Sequence, residues 1–317
     1  MTPEAPSPTS PSPRATLRIG TRGSPLALAQ SRLVADALAE AHPGLACQLV
    51  RIATAGDRRR AEPLPAIGGT GLFTREIESA LLRGEIDLAV HSLKDLPTQS
   101  PDGLVVAAVP ARAPAADALI SADGRPLDQL PPGARIGTSS PRRAAQLLAA
   151  RPDLRPEPIR GNLDTRIRKL REGRVDALVV ALAGLERLGV AAHATQVLPL
   201  DVMLPAPGQG ALAVQTRAGD APVVDLAVAI DHGATRAATT GERALLEALG
   251  GGCSLPLGAY AEAGGPSLRL RAILLAPDGA QAARADSTGP LAEPTALAHA
   301  VAAALRADGA DAILDLL

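Results

Sequence analysis

The chain has 317 residues, carries a net charge of −1 at pH 7 and is 46% hydrophobic. This length predicts two or three domains with a sizeable core. Aromatic residues make up only 1% of the chain, which excludes a nucleic-acid surface built on aromatic stacking. The balanced charge excludes a generally basic surface for nucleic acid or membranes. Any function of positive charge must therefore be local.

The two ends of the sequence and its two cysteines limit the class of protein further. Residues 1–15 form a Pro/Ser-rich tail without the apolar stretch of a signal peptide, and we expect it to be disordered. No apolar run is long enough for a membrane span, so we expect a cytoplasmic protein. Cys47 and Cys253 are too few for a disulfide scaffold or a four-thiolate site, and we expect no metal.

From residue 16 the chain alternates short apolar strands with helical stretches, which predicts an α/β fold. We predict strands at 16–20, 46–52, 87–92 and 103–109. A helix capped by Ser24, with Pro25 at its first position, is expected to run to about residue 42. A second helix is expected to end at Gly84.

After a linker at 110–117 the same style of pattern repeats. We predict helices at 141–150 and 162–171, a strand at 175–183, and a return crossing or hinge in the segment "LPAPGQGALAVQT". A third unit begins with a helix at about 235–249, continues with strands at 268–276 and 280–287, and closes with a helix at 294–307. This pattern predicts two similar α/β lobes with a hinge and a smaller third domain, with a site in the cleft between the lobes.

Helix 141–150 begins in an unusual way, because two arginines follow its N-terminal Ser140–Pro141 pair. A helix start already carries partial positive charge, so Arg142 and Arg143 would raise a potential that normally attracts acidic residues. The arrangement predicts an anion site, with hydroxyls from Thr138 and Ser140 beside it. A solvated basic surface without a ligand is the alternative.

More charged residues converge on the same cleft in this arrangement. Arg160 and Arg166 lie around "RGNLDTR", where Asn162 is a candidate helix cap, and guanidinium groups bind carboxylates in a bidentate way. A phosphate ligand is less favoured, because the chain has no glycine-rich phosphate loop. Lys94 and Asp95 follow an apolar strand, where α/β proteins gather ligands. They indicate either an acid held ionised for proton transfer or a surface ion pair in a turn.

The two cysteines and one histidine receive different interpretations. Cys253 lies in "GGGCS", where three glycines leave the thiol accessible, so it is either a reactive thiol or a chance loop cysteine. Cys47 alternates within a predicted strand and reads as a small core residue. His91 reads as structural.

Eight motifs in one order resemble the porphobilinogen deaminase family, also called hydroxymethylbilane synthases. They are "RIGTRGSPLALAQ", "GGTGLF", "AVHSLKDLPT", "GTSSPRRAAQL", "RGNLDTRIRKL", "GLERLG", "LPAPGQGALAV" and "GERALLEALGGGCSLPLGAYA". Together they cover nearly all of residues 16–317.

The resemblance implies an α/β fold of three domains, in which the first two are like the lobes of type II periplasmic binding proteins and are joined by a hinge. Lobe 1 would comprise residues 16–112 plus 205–230, lobe 2 residues 113–204, and the smaller α/β C-terminal domain residues 231–317. The implied enzyme is a transferase of porphyrin, tetrapyrrole and heme biosynthesis. It condenses four porphobilinogens head to tail onto a dipyrromethane primer, releases ammonia at each step, and hydrolyses the product to hydroxymethylbilane.

The resemblance also assigns residues. Cys253 would hold the dipyrromethane cofactor through a thioether, and Asp95 would be the catalytic carboxylate and a cofactor contact. The other implied cofactor contacts are Ser92, Lys94, Thr138, Ser140, Arg142, Arg143 and Arg166. The implied substrate contacts are Arg22, Phe73, Arg160, Arg187 and Gln209. A cytoplasmic monomer with no nucleic-acid or membrane partner is expected, and its partner is the small molecule porphobilinogen.

The sequence departs from the family in one loop, where Thr70 and Ala66 stand at positions that are often lysine in relatives. Arg58, Arg59 and Arg60 lie just upstream, and we hypothesise that they supply the missing charge. Two other readings of the whole chain stay open at this point. One is a two-lobed binding protein for an anionic small molecule, and the other is a catalytically weakened relative of the family.

Overall fold

The computed structural model describes residues 16–54, 74–252 and 254–317. Several residues singled out in the sequence lie outside these ranges. They are the tail at 1–15, Arg58, Arg59, Arg60, Ala66, Thr70, Phe73 and Cys253.

The described part of the chain alternates strands and helices, which confirms the α/β class. Its strands are β1 (Thr16–Thr21), β2 (Ala46–Arg51), β3 (Leu88–Ser92), β4 (Leu104–Ala108), β5 (Asp117–Ser121), β6 (Arg135–Gly137), β7 (Arg155–Glu157), β8 (Ala177–Ala181), β9 (Gln196–Val197), β10 (Leu212–Arg217), β11 (Leu257–Gly264), β12 (Ser267–Leu275) and β13 (Ala282–Pro290).

The helices of the described ranges are α1 (Pro25–Ala41), α2 (Arg75–Leu82), α3 (Pro141–Ala150), α4 (Leu163–Arg171), α5 (Leu182–Arg187), α6 (Ala221–Val228), α7 (Gly233–Ala248), α8 (Pro294–Ala307) and α9 (Ala310–Leu314). Single 3₁₀ turns occur at Leu93–Asp95, Leu127–Gln129 and Ala191–His193. None of the described helices is long and apolar enough to cross a membrane.

Two five-stranded sheets repeat one topology. The first has the order β2-β1-β3-β10-β4 and the second has the order β7-β6-β8-β5-β9. In each sheet the first three strands are parallel, and the fourth runs antiparallel to both of its neighbours. The two-lobed α/β arrangement expected from the sequence is therefore present. The residue boundaries of the domains stay a prediction.

The segment predicted as a return crossing ends in a central strand. β10 pairs with β3 and with β4, so the chain leaves the first sheet, builds the second and returns to fill the gap. The two crossing segments touch, because the Ala113 N–H donates to the Gly210 carbonyl at 3.3 Å. Gly210 has a φ of +86°, and a Cβ there would lie 2.4 Å from the Ala113 oxygen. This close approach explains why a glycine stands at that position.

A third, smaller sheet closes the fold. β11, β12 and β13 form an antiparallel meander. The apolar faces of α7 and α8 cover it, with Leu245, Leu270 and Val301 among the buried core residues. β12 begins and ends one residue before the predicted strand, and β13 lies two to three residues after its prediction, whereas α8 begins and ends at the predicted residues. The smaller α/β C-terminal unit expected from the sequence is confirmed.

Candidate active site

A cavity of about 490 Å³ opens among the two large sheets and the third unit. This volume lies within the usual range for small-molecule sites. Six cationic side chains and two acidic ones are among its lining residues, so the wall is strongly positive. The cations are Arg22, Lys94, Arg142, Arg143, Arg160 and Arg166, and the acids are Asp95 and Asp164.

Two helix starts of the same construction point their first residues at this cavity. Ser24 caps α1 by accepting from the Ala27 N–H at 3.3 Å, and Ser140 caps α3 by accepting from the Arg143 N–H at 3.4 Å. Each serine is followed by a proline at the first helical position, and all four residues line the cavity. Because free N–H groups and the helix dipole favour anions, both starts add to the positive potential of the arginines. The predicted start of α3 is confirmed.

The two arginines at the start of α3 have an internal counter-ion that the sequence analysis did not foresee. Asp117, the first residue of β5, is fully buried; its Oδ2 accepts from Arg142 Nη1 at 2.7 Å and its Oδ1 from Arg143 Nη2 at 2.7 Å. One carboxylate balances only half of their charge, so net positive charge remains at the cavity.

The charges shift one another's pKa values as burial and proximity dictate. Burial alone would raise the pKa of Asp117, but Arg142 and Arg143 together hold it well below its usual value. Burial also lowers the pKa of Arg142, an effect that Asp117 opposes. The buried carboxylate is consequently ionised at neutral pH.

Gln209 joins Lys94 to this buried group. Its Nε2 donates to Asp117 Oδ1 at 2.9 Å and to the Ala115 carbonyl at 2.7 Å, while its Oε1 accepts from Lys94 Nζ at 3.1 Å. Burial, with Arg143 nearby, lowers the pKa of Lys94 to about 8, although Asp95 and Asp117 act in the opposite direction. Gln209, expected as a substrate contact, is thus also a link between the first and second sheets.

Asp95 lies where the sequence placed it, just after β3, in the 3₁₀ turn Leu93–Asp95. Its side chain is exposed to the cavity rather than buried. Ser92 ends the strand; its hydroxyl accepts from Gln30 Nε2 at 2.8 Å. The Asp95 carboxylate is therefore exposed in a cavity whose lining is mostly cationic.

The remaining candidate residues divide into two groups. Arg22, Arg160 and Arg166 line the cavity, and burial with Arg143 close by lowers the pKa of Arg166 to about 10. Two other candidates, Thr138 and Arg187, do not line the cavity and contact the residues around it. Thr138 is buried, and its hydroxyl accepts from the Ser140 N–H at 3.2 Å, whereas Arg187 donates from Nη2 to the Gly210 carbonyl at 2.6 Å. Asn162 precedes α4, but its side chain makes no capping bond.

Cys253 and Phe73 lie outside the described residues. The residue before Cys253, Gly252, lines the cavity together with Leu246 and Leu255 from either side of the "GGGCS" segment. Cys47 is a half-buried residue of β2, and burial raises the pKa of its thiol. Burial lowers the pKa of His91 to about 4, so this side chain is neutral. Among the described residues no group of three His, Cys, Asp or Glu could hold a metal.

Two residues that sequence reasoning missed connect the site to its surroundings. Arg112 and Glu242 form a nearly buried ion pair, with 2.6 Å between Nη1 and Oε1. Glu242 also accepts from the Gly208 N–H at 2.7 Å, so it ties α7 to both crossing segments.

The sequence did contain a signal for Asp117, which is a single charge at the start of an apolar strand. No local sequence pattern could have predicted the Arg112–Glu242 pair, because its two residues lie 130 positions apart.

Comparisons with known proteins find matches along most of the chain. A family profile described as porphobilinogen deaminase, dipyromethane cofactor binding domain, matches residues 17–225, and the profile of the porphobilinogen deaminase C-terminal domain matches residues 237–307. Porphobilinogen deaminase of Rubrobacter xylanophilus is 51% identical over 94% of this chain and 96% of its own. The enzyme of Desulforudis audaxviator is 50% identical over 93% of this chain and 96% of its own.

Solved structures resemble the chain more distantly. The Bordetella pertussis BvgS VFT2 domain covers 68% of this chain and 87% of its own, at 15% identity and a TM-score of 0.40. A nutrient binding protein from Burkholderia cenocepacia bound to methionine covers 67% of this chain and 90% of its own, at 17% identity and a TM-score of 0.43.

Proposed function

The chain belongs to the porphobilinogen deaminase family, and on that premise we propose that Asp95, Cys253 and the cations of the cavity perform its reaction. The protein is a transferase, hydroxymethylbilane synthase, which acts on porphobilinogen and uses a dipyrromethane cofactor. The assignment of individual residues is our proposal. The single observation that carries it is one cavity that joins six cations, the exposed Asp95 and the glycine next to Cys253.

The described residues fit a cofactor that carries several carboxylates. Arg142 Nε is buried and has no hydrogen-bond partner among the described residues, although its Nη1 is fully used. A buried donor without a partner costs free energy unless an acceptor arrives. We therefore assign cofactor carboxylates to Arg142, Arg143, Arg166 and Lys94, with Ser92, Thr138 and Ser140 supporting these cations, and substrate carboxylates to Arg22 and Arg160.

When bound, the cofactor supplies the pyrrole carbon to which the first substrate is joined. The chain's own residues do the rest. The arginines hold the acetate and propionate groups of porphobilinogen, which orients the reacting ring. Asp95 accepts a hydrogen bond from the substrate pyrrole N–H and stabilises the positive charge that develops as ammonia leaves. Because Asp95 is exposed to the cavity beside Lys94, whereas Asp117 is fully buried, Asp95 is also our candidate for moving the proton.

Three expected substrate contacts have a different status. Gln209 lines the cavity, but both of its amide hydrogens already donate to other groups. We therefore propose that Gln209 does not contact the substrate directly and instead positions Lys94. Arg187 holds the Gly210 carbonyl and acts on the wall rather than on the ligand. Phe73 lies outside the described residues and stays a prediction. A cytoplasmic monomer is the state that we propose from the family resemblance, to be tested by cell fractionation and light scattering.

Intact mass tests the proposal most directly. The purified chain should exceed its polypeptide mass by two porphobilinogen units less two ammonias, and a Cys253→Ala variant should not. The chain has only one other cysteine, so Cys47→Ala is a matched control that should keep the added mass. A wild-type chain that stays unmodified after incubation with porphobilinogen would indicate a binding protein instead. In addition, Asp95→Asn should lower kcat by at least about 100-fold while the cofactor stays attached.

A further inference from the structure

We propose that Arg243, on α7, is a positioning residue that holds the turn bearing Asp95 in its working geometry. This inference rests on the role proposed above for Asp95. Arg243 does not line the cavity. Its action is on the backbone around Asp95.

A single guanidinium group binds four carbonyl oxygens of this turn. Nη1 donates to the Leu96 carbonyl at 2.9 Å and to the Leu93 carbonyl at 3.3 Å. Nη2 donates to the Pro97 carbonyl at 2.5 Å and to the Thr98 carbonyl at 3.1 Å. The four acceptors lie on both sides of Asp95, so the arginine fixes the entry to the turn as well as its exit.

The turn has little structure of its own. Leu93–Asp95 is one turn of 3₁₀ helix, whose hydrogen bonds have poorer geometry than those of an α-helix. The Leu93 N–H reaches the Ala211 carbonyl at 3.0 Å, and the Leu96 N–H closes the turn on Leu93 at 3.2 Å. Pro97 has no N–H to donate. Without Arg243, the Leu96, Pro97 and Thr98 carbonyls would lose this donor, and the Leu93 carbonyl would keep only the Leu96 N–H. Asp95 would then lose the constraint on its backbone.

The helix that carries Arg243 is itself held firmly. Its neighbour Glu242 is fully buried and accepts from Arg112, from the Gly208 N–H and from the Ala261 N–H at 2.8 Å. The same helix ends at Ala248, two residues before the "GGGCS" segment begins. One helix therefore holds the turn of Asp95 and leads in sequence into the segment that contains Cys253.

Lysine cannot replace this arginine, because a guanidinium presents five N–H donors in a planar fork and an ammonium presents three from a single point. We therefore expect Arg243→Lys to lower kcat, counted per cofactor-carrying chain by intact mass, by about 10- to 100-fold. KM for porphobilinogen should change less than about 3-fold, because the carboxylate-binding cations are untouched. Amide hydrogen exchange in residues 93–98 should become faster. If the Arg243→Lys chain does not fold, Arg243→Gln is used for the same measurements, because the glutamine amide keeps two N–H donors.

A double-mutant cycle separates positioning from general stability. In an Asp95→Glu background the carboxylate is already displaced, so Arg243→Lys should cost less than about 3-fold there. Gln99→Ala is the matched control, because it removes an exposed 2.9 Å bond between the same loop and Glu247 of the same helix. It should change kcat less than about 2-fold.

The outcomes are distinct. An Arg243→Lys enzyme whose kcat stays within about 2-fold of wild type, or whose loss is equally large in the Asp95→Glu background, would overturn the role of Arg243 alone. An Asp95→Asn enzyme with unchanged kcat would instead overturn the proposed function of Asp95, and this inference with it.

Discussion

Asp117 and Arg142 form an ion pair, with 2.7 Å between Oδ2 and Nη1, in which neither side chain is more than 4% exposed. Arg143 occupies the other carboxylate oxygen at the same distance. The pair connects β5 with the start of α3, so it fixes the two cations against the second sheet. A ligand with several carboxylates then meets arginines that are already oriented, which reduces the entropy lost on binding.

Replacing Asp117 with Asn should destabilise the fold strongly. Removal of one partner leaves two guanidinium groups buried without a counter-charge, which typically costs about 3–5 kcal/mol. Urea unfolding of the cofactor-free Cys253→Ala chain measures this change. The control is Glu85→Gln, which removes an ion pair of 2.6 Å whose side chains are 59% and 55% exposed, and it should leave the urea midpoint nearly unchanged. Equal effects of both substitutions would show that Asp117 is not the counter-ion described here.

Replacing Gly210 with Ala should also destabilise the chain, by about 3 kcal/mol or more. The new Cβ would lie 2.4 Å from the Ala113 oxygen, and a φ of +86° is unfavourable for any residue with a side chain. Gly219→Ala is the comparison, since nothing lies within 4 Å of a Cβ there and its φ is not positive. It should stay within about 0.5 kcal/mol of wild type. A Gly210→Ala chain as stable as Gly219→Ala would mean that the two crossing segments separate freely.

Lys94 should titrate near pH 8 in the cofactor-free Cys253→Ala chain, because burial and Arg143 disfavour its charged form. It is thus protonated at pH 7 and loses its proton as the pH rises through about 8, so its hold on a carboxylate weakens on the alkaline side. The chain has only two lysines, so NMR of labelled lysine side chains gives two signals, and Lys94→Arg identifies one of them. Two signals that both titrate above pH 10 would contradict the burial of Lys94. Loaded cofactor should raise this pKa, since carboxylates favour the charged form.

Local sequence chemistry predicted the start of α3 and the position of Asp95, because both depend on neighbouring residues. Ser140 and Pro141 specify a helix start wherever the chain goes, and Asp95 follows an apolar strand. The residues around Ser140 could not, however, reveal the counter-ion of Arg142 and Arg143. Their counter-ion lies 25 residues upstream, and only the pairing of β5 beside β8 brings it underneath α3. Arg243 is a stronger case, since its four acceptors lie about 150 positions away.

The same reasoning explains a strand that the sequence analysis did not predict. The segment that ends in β10 was predicted as a return crossing or hinge, because "PAPGQG" indicates turns, and the chain does return there to the first sheet. The partners of β10, which are β3 and β4, lie more than 100 residues earlier, and no local pattern reports pairing at that distance. By contrast, α8 is an amphipathic helix between clear ends, and its bounds were predicted correctly.

The position of β10 has a consequence for the order in which the newly synthesised chain can fold. All five strands of the second sheet lie between residues 117 and 197, so that sheet is complete once this stretch has left the ribosome. β3 and β4 emerge earlier, yet they do not pair with each other and must wait for residues 212–217. Until then their facing edges offer unpaired N–H and C=O groups to other chains. The sheet that is encoded first is therefore finished second.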